Sequence, residues 1–236
     1  YLKTLKMNNP KLRGLSLFAN VGIAEAYLES IGVQIEVANE LLPDRARFYQ
    51  DVYPSTHMVC GDITDDNIRT SLIEEAKAKN VNFVIATPPC QGMSRVGKME
   101  EFDVRNQLIF YAVDVIKRLK PEYVLIENVT TILKTKISVD GEVIVIPEYL
   151  ERELGNDYVF NKETKVKAMY YSIPQMRLRN IYLLVRKDKK VVWEFPKHTP
   201  VVNLKEAIGH LPQVDPELRE GMELTLEKFP EFEKKK

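Results

Sequence analysis

The first two-thirds of the chain alternate short apolar runs with amphipathic stretches. Leu15–Phe18, Val33–Ala38, His57–Cys60, Phe83–Ala86 and Tyr123–Ile126 read as short buried strands. Between them, Ile23–Ser30, Pro43–Val52, Asp65–Lys79 and Gln107–Leu119 read as helices. Pro43 stands in a first helical turn, where its fixed φ and missing N–H are tolerated. This alternation predicts an α/β fold, a mostly parallel sheet with helices on both faces. Right-handed crossovers then gather the strand C-termini and their loops along one edge. After Thr131 the pattern changes. Pro147–Leu154 reads as a helix, and Phe160–Met169 and Ile181–Val185 as a closing antiparallel pair. From Lys187 onward prolines recur, and Leu204–Gly209 is the periodic element.

Composition narrows the class. With 236 residues, 44% hydrophobic and 29% charged, the chain can bury a sizeable core, as one large domain or a domain plus a tail. No apolar run reaches membrane-spanning length, so no membrane association is expected. The 34 basic and 34 acidic side chains cancel, which leaves phosphate binding to a local basic cleft. Two cysteines, Cys60 and Cys90, make no disulfide framework and fit a reducing compartment. His57, His198 and His210 are scattered without ligand spacing, so no metal site is expected.

Three segments carry candidate chemistry. In Thr87-Pro88-Pro89-Cys90-Gln91-Gly92-Met93-Ser94 a thiol follows a buried strand and a rigid Pro-Pro corner. Such a thiol can act as a nucleophile where nearby positive charge favours the thiolate. Taken alone, the segment also fits a loop around an inert thiol. Ser94 to Asp103, with Arg95 and Lys98 inside it and Arg105 beside it, reads as a loop able to close over a substrate. Glu127-Asn128-Val129 follows the fifth strand and puts a carboxyl on the same sheet edge, though alone it reads equally as a turn. Gln175-Met176-Arg177-Leu178-Arg179 precedes the last strand. On extended backbone its alternate residues Gln175, Arg177 and Arg179 share one face, able to hold phosphate or a carbonyl or simply to meet solvent.

In this order and spacing the three segments resemble the DNA (cytosine-5) methyltransferase family, from about Leu15 to Pro212. The family shows a Pro-Cys-Gln loop, a Glu-Asn-Val after the next strand and a Gln-x-Arg-x-Arg before the closing strand. The resemblance implies a three-layer, Rossmann-like S-adenosylmethionine-dependent fold with catalytic residues Cys90, Glu127, Arg177 and Arg179. Cys90 would attack the base, Glu127 hold and protonate it, Arg179 bind its carbonyl, and Arg177 steady the loop or phosphates. Gln91, Ser94, Arg95, Lys98 and Gln175 would meet the DNA.

For S-adenosyl-L-methionine the resemblance implies Phe18, Asn20, Val21, Gly22, Glu40, Leu41, Asp62, Ile63, Pro89 and Leu108. Glu40 stands at the end of the second strand, as a ribose-binding acid should. Asp62 resembles the residue that meets the adenine amino group. The family usually carries several glycines in the first turn. Here Gly22 remains and Asn20 occupies a glycine position, which Asn tolerates better than most residues. One glycine cannot make a dinucleotide-binding fingerprint.

The expected division is a catalytic domain over 1–186 and, over 187–236, a linker leading toward a target-recognition region. The family's later Arg-rich and Gly-Asn-x-Val stretches are not found. The expectation is that they lie on a second polypeptide, were removed, or were never present, and that this chain alone binds sequence weakly. The implied partner is double-stranded DNA, in a bacterial cytoplasm and a restriction-modification setting. Competing readings are a tRNA cytosine-5 methyltransferase and a non-catalytic partner of an active enzyme. Retention of Cys90, Glu127, Gln175, Arg177 and Arg179 argues against the non-catalytic partner.

Overall fold

A computed structural model describes residues 12–89 and 107–211. Their apolar runs form the strands β1 (Leu12–Leu17), β2 (Val33–Glu40), β3 (His57–Cys60), β4 (Phe83–Ala86) and β5 (Tyr123–Asn128). All neighbouring pairs among these five are parallel. Helices α1 (Pro43–Val52), α2 (Asp66–Ala78) and α3 (Leu108–Leu119) connect them. A hairpin of β6 (Lys136–Val139) and β7 (Glu142–Val145) follows, then α4 (Ile146–Leu154). Strands β8 (Tyr158–Phe160), β9 (Lys165–Lys167) and β10 (Leu178–Arg186) come next. β10 lies antiparallel to β5, β8 and β9, so the main sheet runs β3-β2-β1-β4-β5-β10-β8 with β9 also on β10.

Two buried clusters flank this sheet, giving three layers. One face packs Leu15, Leu17, Val84, Ala86, Val124 and Ile126 against α2, α3 and α4, through residues such as Leu72, Ile116 and Leu150. The other packs Ile35, Ala38, Phe83 and Ile85 around Tyr49 of α1. Trp193 closes that second face edge-on, with ring centroids 6.3 Å from Phe83 and 6.0 Å from Tyr123. The local signals are physical. Asp65 caps α2 by accepting the Asn67 N–H at 2.8 Å, and Pro43 opens α1.

Two readings of the pattern are corrected. Ile23–Ser30 is not an α-helix but a succession of turns ending in a 3-10 turn at Glu29–Ile31. Its bonds run from i+3 to i, as in Glu25 N–H to the Gly22 carbonyl and Leu28 N–H to the Glu25 carbonyl. The inward side chain there is Glu25, which bonds Ser16 of β1, while Ile23 and Tyr27 are 78% and 80% exposed. The apolar periodicity therefore faces outward. Phe160–Met169 is not one strand. Buried Asn161 breaks it by donating to the carbonyls of Glu163 and Ile181, at 2.6 and 3.2 Å, and Ala168 and Met169 enter a 3-10 turn. The β6–β7 hairpin was not anticipated.

Among the described residues, 12–89, 107–167 and 178–197 form one compact unit, and 168–177 with 198–211 a second. In the second, the Tyr170 ring stacks on His198 at 4.7 Å. The Ser172 hydroxyl donates to the Thr199 hydroxyl at 2.7 Å. A capping box between Asn203 and Glu206 starts α5 (Leu204–Ile208).

Candidate active site

In the strand order 3-2-1-4-5 the winding reverses between β1 and β4, so the loops leaving them diverge and open a crevice at the strand C-termini. A cavity of about 530 Å³ lies there, a size typical of small-molecule sites. Phe18 and Asn20 after β1, Glu40 and Leu41 at the end of β2, Asp62 and Ile63 after β3, Pro89 after β4 and Leu108 opening α3 all line it. These are eight of the ten cofactor positions that the resemblance implies. Val21 and Gly22 belong to the same turn but are not among the lining residues.

The turn after β1 is left-handed at three positions, with φ of 61° at Phe18, 51° at Asn20 and 82° at Gly22. Non-glycine residues hold such angles only where the surroundings impose them. Here the Ala19 N–H donates to the Asn39 carbonyl at 2.9 Å and the Thr87 hydroxyl to the Phe18 carbonyl at 3.2 Å. The Asn20 N–H donates to Glu40 Oε2 at 2.9 Å. Glu40 Oε1 accepts the Leu42 N–H at 3.0 Å. Glu40 is thus buried and oriented by two main-chain donors, and each carboxylate oxygen keeps further acceptor capacity toward the cavity. Asp62 is braced likewise, accepting the Thr64 N–H at 2.9 Å.

Sequence reasoning missed Asn39, Leu42, Arg45, Gly61 and Thr87, which also line the cavity. Asn39 donates to the carbonyls of Val59 and Gly61, both at 3.0 Å, so it sets the spacing between the ends of β2 and β3. A polar residue just before the strand-end Glu40 was the available signal. Arg45 reaches the cavity because it lies in the first turn of α1, which only the fold reveals.

Further along the edge, Glu127 of β5 faces Arg179 of β10. Arg179 Nε lies 2.9 Å from Glu127 Oε1, with both side chains about three-quarters buried. Asn128, on the opposite face of β5, donates to the Pro88 carbonyl at 3.0 Å and accepts the Val129 N–H at 2.8 Å. It therefore ties the Pro-Pro corner to the strand that carries Glu127. The expected extended run over Gln175–Arg179 is corrected at its start, where the Gln175 N–H turns back to the Ile173 carbonyl at 2.7 Å. Arg179 is on β10, and Gln175 and Arg177 are exposed. Cys90, Gln91, Ser94, Arg95 and Lys98 lie outside the described residues, as does the whole Ser94–Asp103 loop. Among the described residues no cluster of three potential ligands could hold a metal, and no helix is long and apolar enough to cross a membrane.

Comparison with known proteins decides the family. The family model for C-5 cytosine-specific DNA methylases matches residues 12–235. The chain belongs to the C-5 cytosine-specific DNA methylase family. A Type II methyltransferase of Avibacterium volantium, M1.HgaI, is 40% identical over 216 residues, which is 89% of this chain and 60% of that protein. M.XorII of Xanthomonas oryzae pv. oryzae, also a Type II methyltransferase, is 30% identical over 88% of this chain and 48% of its own length. A prophage-encoded protein of E. coli assigned as a DNA modification methyltransferase superposes with a TM-score of 0.66 at 26% identity, covering 86% of this chain and 56% of that one. This methylase chain thus spans about half to three-fifths of the relatives it matches. The three-layer fold with its antiparallel closing strand is similar to that of the prophage-encoded protein.

Proposed function

We propose that this chain is the catalytic core of a DNA (cytosine-5) methyltransferase that moves a methyl group from S-adenosyl-L-methionine to carbon 5 of cytosine in double-stranded DNA. One observation carries the reading. Pro89 stands in the cavity wall, and Cys90 is the next residue. The chain therefore passes from the wall of a cofactor-sized cavity straight into the candidate nucleophile.

The cavity's donor set fits S-adenosyl-L-methionine. Phe18, Leu41, Ile63 and Leu108 offer apolar walls to a purine. Glu40 has acceptor capacity for a ribose diol and Asp62 for an exocyclic amine. Two carboxylates against the single guanidinium of Arg45 favour a sulfonium cation and disfavour a pyrophosphate. When bound, S-adenosyl-L-methionine supplies a sulfonium-activated methyl group.

Residues of the chain do the rest. The Cys90 thiolate adds to carbon 6 of a flipped cytosine, and the electron pair of the C5–C6 double bond makes carbon 5 nucleophilic. Glu127 holds N3 and the exocyclic amine and delivers a proton as charge develops at the ring. Arg179, which pins Glu127, binds the base carbonyl. After methylation a base takes the carbon 5 proton, the double bond re-forms and the thiolate leaves. Arg177, Gln175, Gln91, Ser94, Arg95 and Lys98 are assigned to phosphate and loop contacts, and residues 187–236 to the approach to a recognition region. The setting is bacterial modification of DNA in the cytoplasm.

The test is incorporation of labelled methyl from S-adenosyl-L-methionine into unmethylated duplex DNA and, separately, tRNA. The reading expects label at carbon 5 of DNA cytosine. Label in tRNA alone, or at another atom, would refute it.

A further inference from the structure

We propose that Tyr53 is a positioning residue for the cofactor turn. Its phenol holds Gly22, and with it the left-handed turn that presents Asn20 to Glu40. The proposal rests on the reading that this cavity binds S-adenosyl-L-methionine.

Two of the turn's three left-handed residues, Phe18 and Asn20, lack glycine's freedom, so it needs fastening on both sides. The incoming side is fastened by Ala19 to Asn39 and by Thr87 to Phe18. No α-helix follows to anchor the outgoing side, since residues 23–28 continue as turns. There the Gly22 carbonyl accepts the Glu25 N–H at a long 3.3 Å and the Tyr53 hydroxyl at 2.7 Å. Burial and the nearby Glu25 both raise the Tyr53 pKa, which keeps the phenol a donor at neutral pH.

The ring acts together with the hydroxyl. A Cβ at Gly22 would run into the Tyr53 ring, so that ring occupies the space a side chain would need. Tyr53 is also the first residue beyond α1, whose N-terminal end is fixed by the Glu40–Leu42 bond. One short helix therefore spans two fixtures of the same site, Glu40 at its start and Gly22 at its end. A hydroxyl outside the cavity wall thereby governs the geometry of the wall.

Tyr53→Phe keeps the ring and removes the donor, so it leaves the packing in place. Tyr49→Phe is the matched control, because the Tyr49 ring packs 4.9 Å from that of Tyr53 but, among the described residues, its hydroxyl makes no hydrogen bond to the turn. Calorimetric titration with S-adenosyl-L-methionine should show Y53F weakened about fivefold, the loss expected for one net hydrogen bond, with kcat at saturation within about twofold of wild type. Without ligand, amide exchange from Asn20 to Glu25 should be faster in Y53F and return to the wild-type rate on saturation. Y49F should match wild type in both. Equal affinity of Y53F and wild type, or equal weakening in Y49F, would overturn the positioning role and leave the cofactor reading standing. Failure of the wild-type chain to bind S-adenosyl-L-methionine would overturn both.

Discussion

Along the strand-end edge of the sheet, the carboxylates in the half formed by β1, β2, β3 and β4 clasp main-chain groups, whereas Glu127, in the half formed by β5 and β10, pairs with a side chain. In the first, Glu40 clasps two backbone N–H groups, Asp62 clasps one, and Asn39 spans two carbonyls. In the second, Glu127 is ion-paired with Arg179. Main-chain fastening gives a cavity whose shape is set before a ligand arrives, which lowers the ordering cost of binding. A carboxylate paired with a guanidinium can exchange that partner for a substrate atom. Under the proposed function, the edge separates a binding half from a half whose polar contacts are remade during reaction.

The sharpest way to break this division is at the chemistry half. Cys90→Ala should lower methyl transfer by about 10⁴-fold or more while the dissociation constant for S-adenosyl-L-methionine stays within about twofold of wild type. Single-turnover transfer with titrated cofactor would check both. Glu127→Gln comes next. It removes the proton donor and the charge facing Arg179, so transfer should fall by about 10²- to 10⁴-fold, again with cofactor affinity kept. A large loss of affinity in either variant would mean that the two halves are not separable.

The binding half should respond in the opposite way. Glu40→Ala removes the carboxylate that accepts the N–H groups of Asn20 and Leu42 in part-buried bonds. Each lost bond costs about 0.5–1.5 kcal/mol, so calorimetry should show cofactor affinity reduced by about tenfold and a lower melting temperature. Saturating cofactor should recover most of kcat. If kcat is lost and affinity kept, Glu40 belongs to the chemistry and the comparison fails.

The smallest expected effect concerns Glu25, beneath the turn. Burial raises its pKa above the ordinary 4.5, and its bond to Ser16 opposes this only in part. In the folded state the group holds its proton to a higher pH than in the unfolded chain. The fold therefore loses stability as pH rises from about 4.5 toward the raised value, and the loss stays constant above it. Glu25→Gln should remove that dependence. Melting scans should show the variant gaining on wild type as pH rises above about 4.5. A wild type that instead gains stability relative to the variant over that range would show that Glu25 is charged in the fold.

The same division explains what the amino-acid order reveals. His57–Cys60, Phe83–Ala86 and Pro43–Val52 are elements with the bounds their apolar runs and proline imply, because sheet burial and helix entry act locally. The β6–β7 hairpin was also readable. Asp140-Gly141 between alternating residues takes two positive φ values, 51° and 84°, the tight-turn geometry that Asp-Gly favours. Ile23–Ser30 was not readable as turns, because its course depends on tertiary contacts, with Ser16 of β1 bonding Glu25 and Tyr53 holding Gly22 just ahead of it. In the site, strand-end residues such as Glu40 and Asp62 follow from the alternation. Asn39 was signalled by its place just before Glu40, whereas Arg45 enters through the packing of α1, which no local pattern encodes.

The central claim is that Cys90 forms a covalent bond to the cytosine whose carbon 5 receives the methyl group. Duplex DNA bearing 5-fluorocytosine tests it directly, because the fluorine cannot leave as a proton does and the adduct is trapped. With S-adenosyl-L-methionine present, peptide mass spectrometry should find the methylated nucleotide attached to Cys90, and the C90A chain should give no adduct. An adduct on another residue, one that persists in C90A, or methyl transfer by C90A would contradict the account.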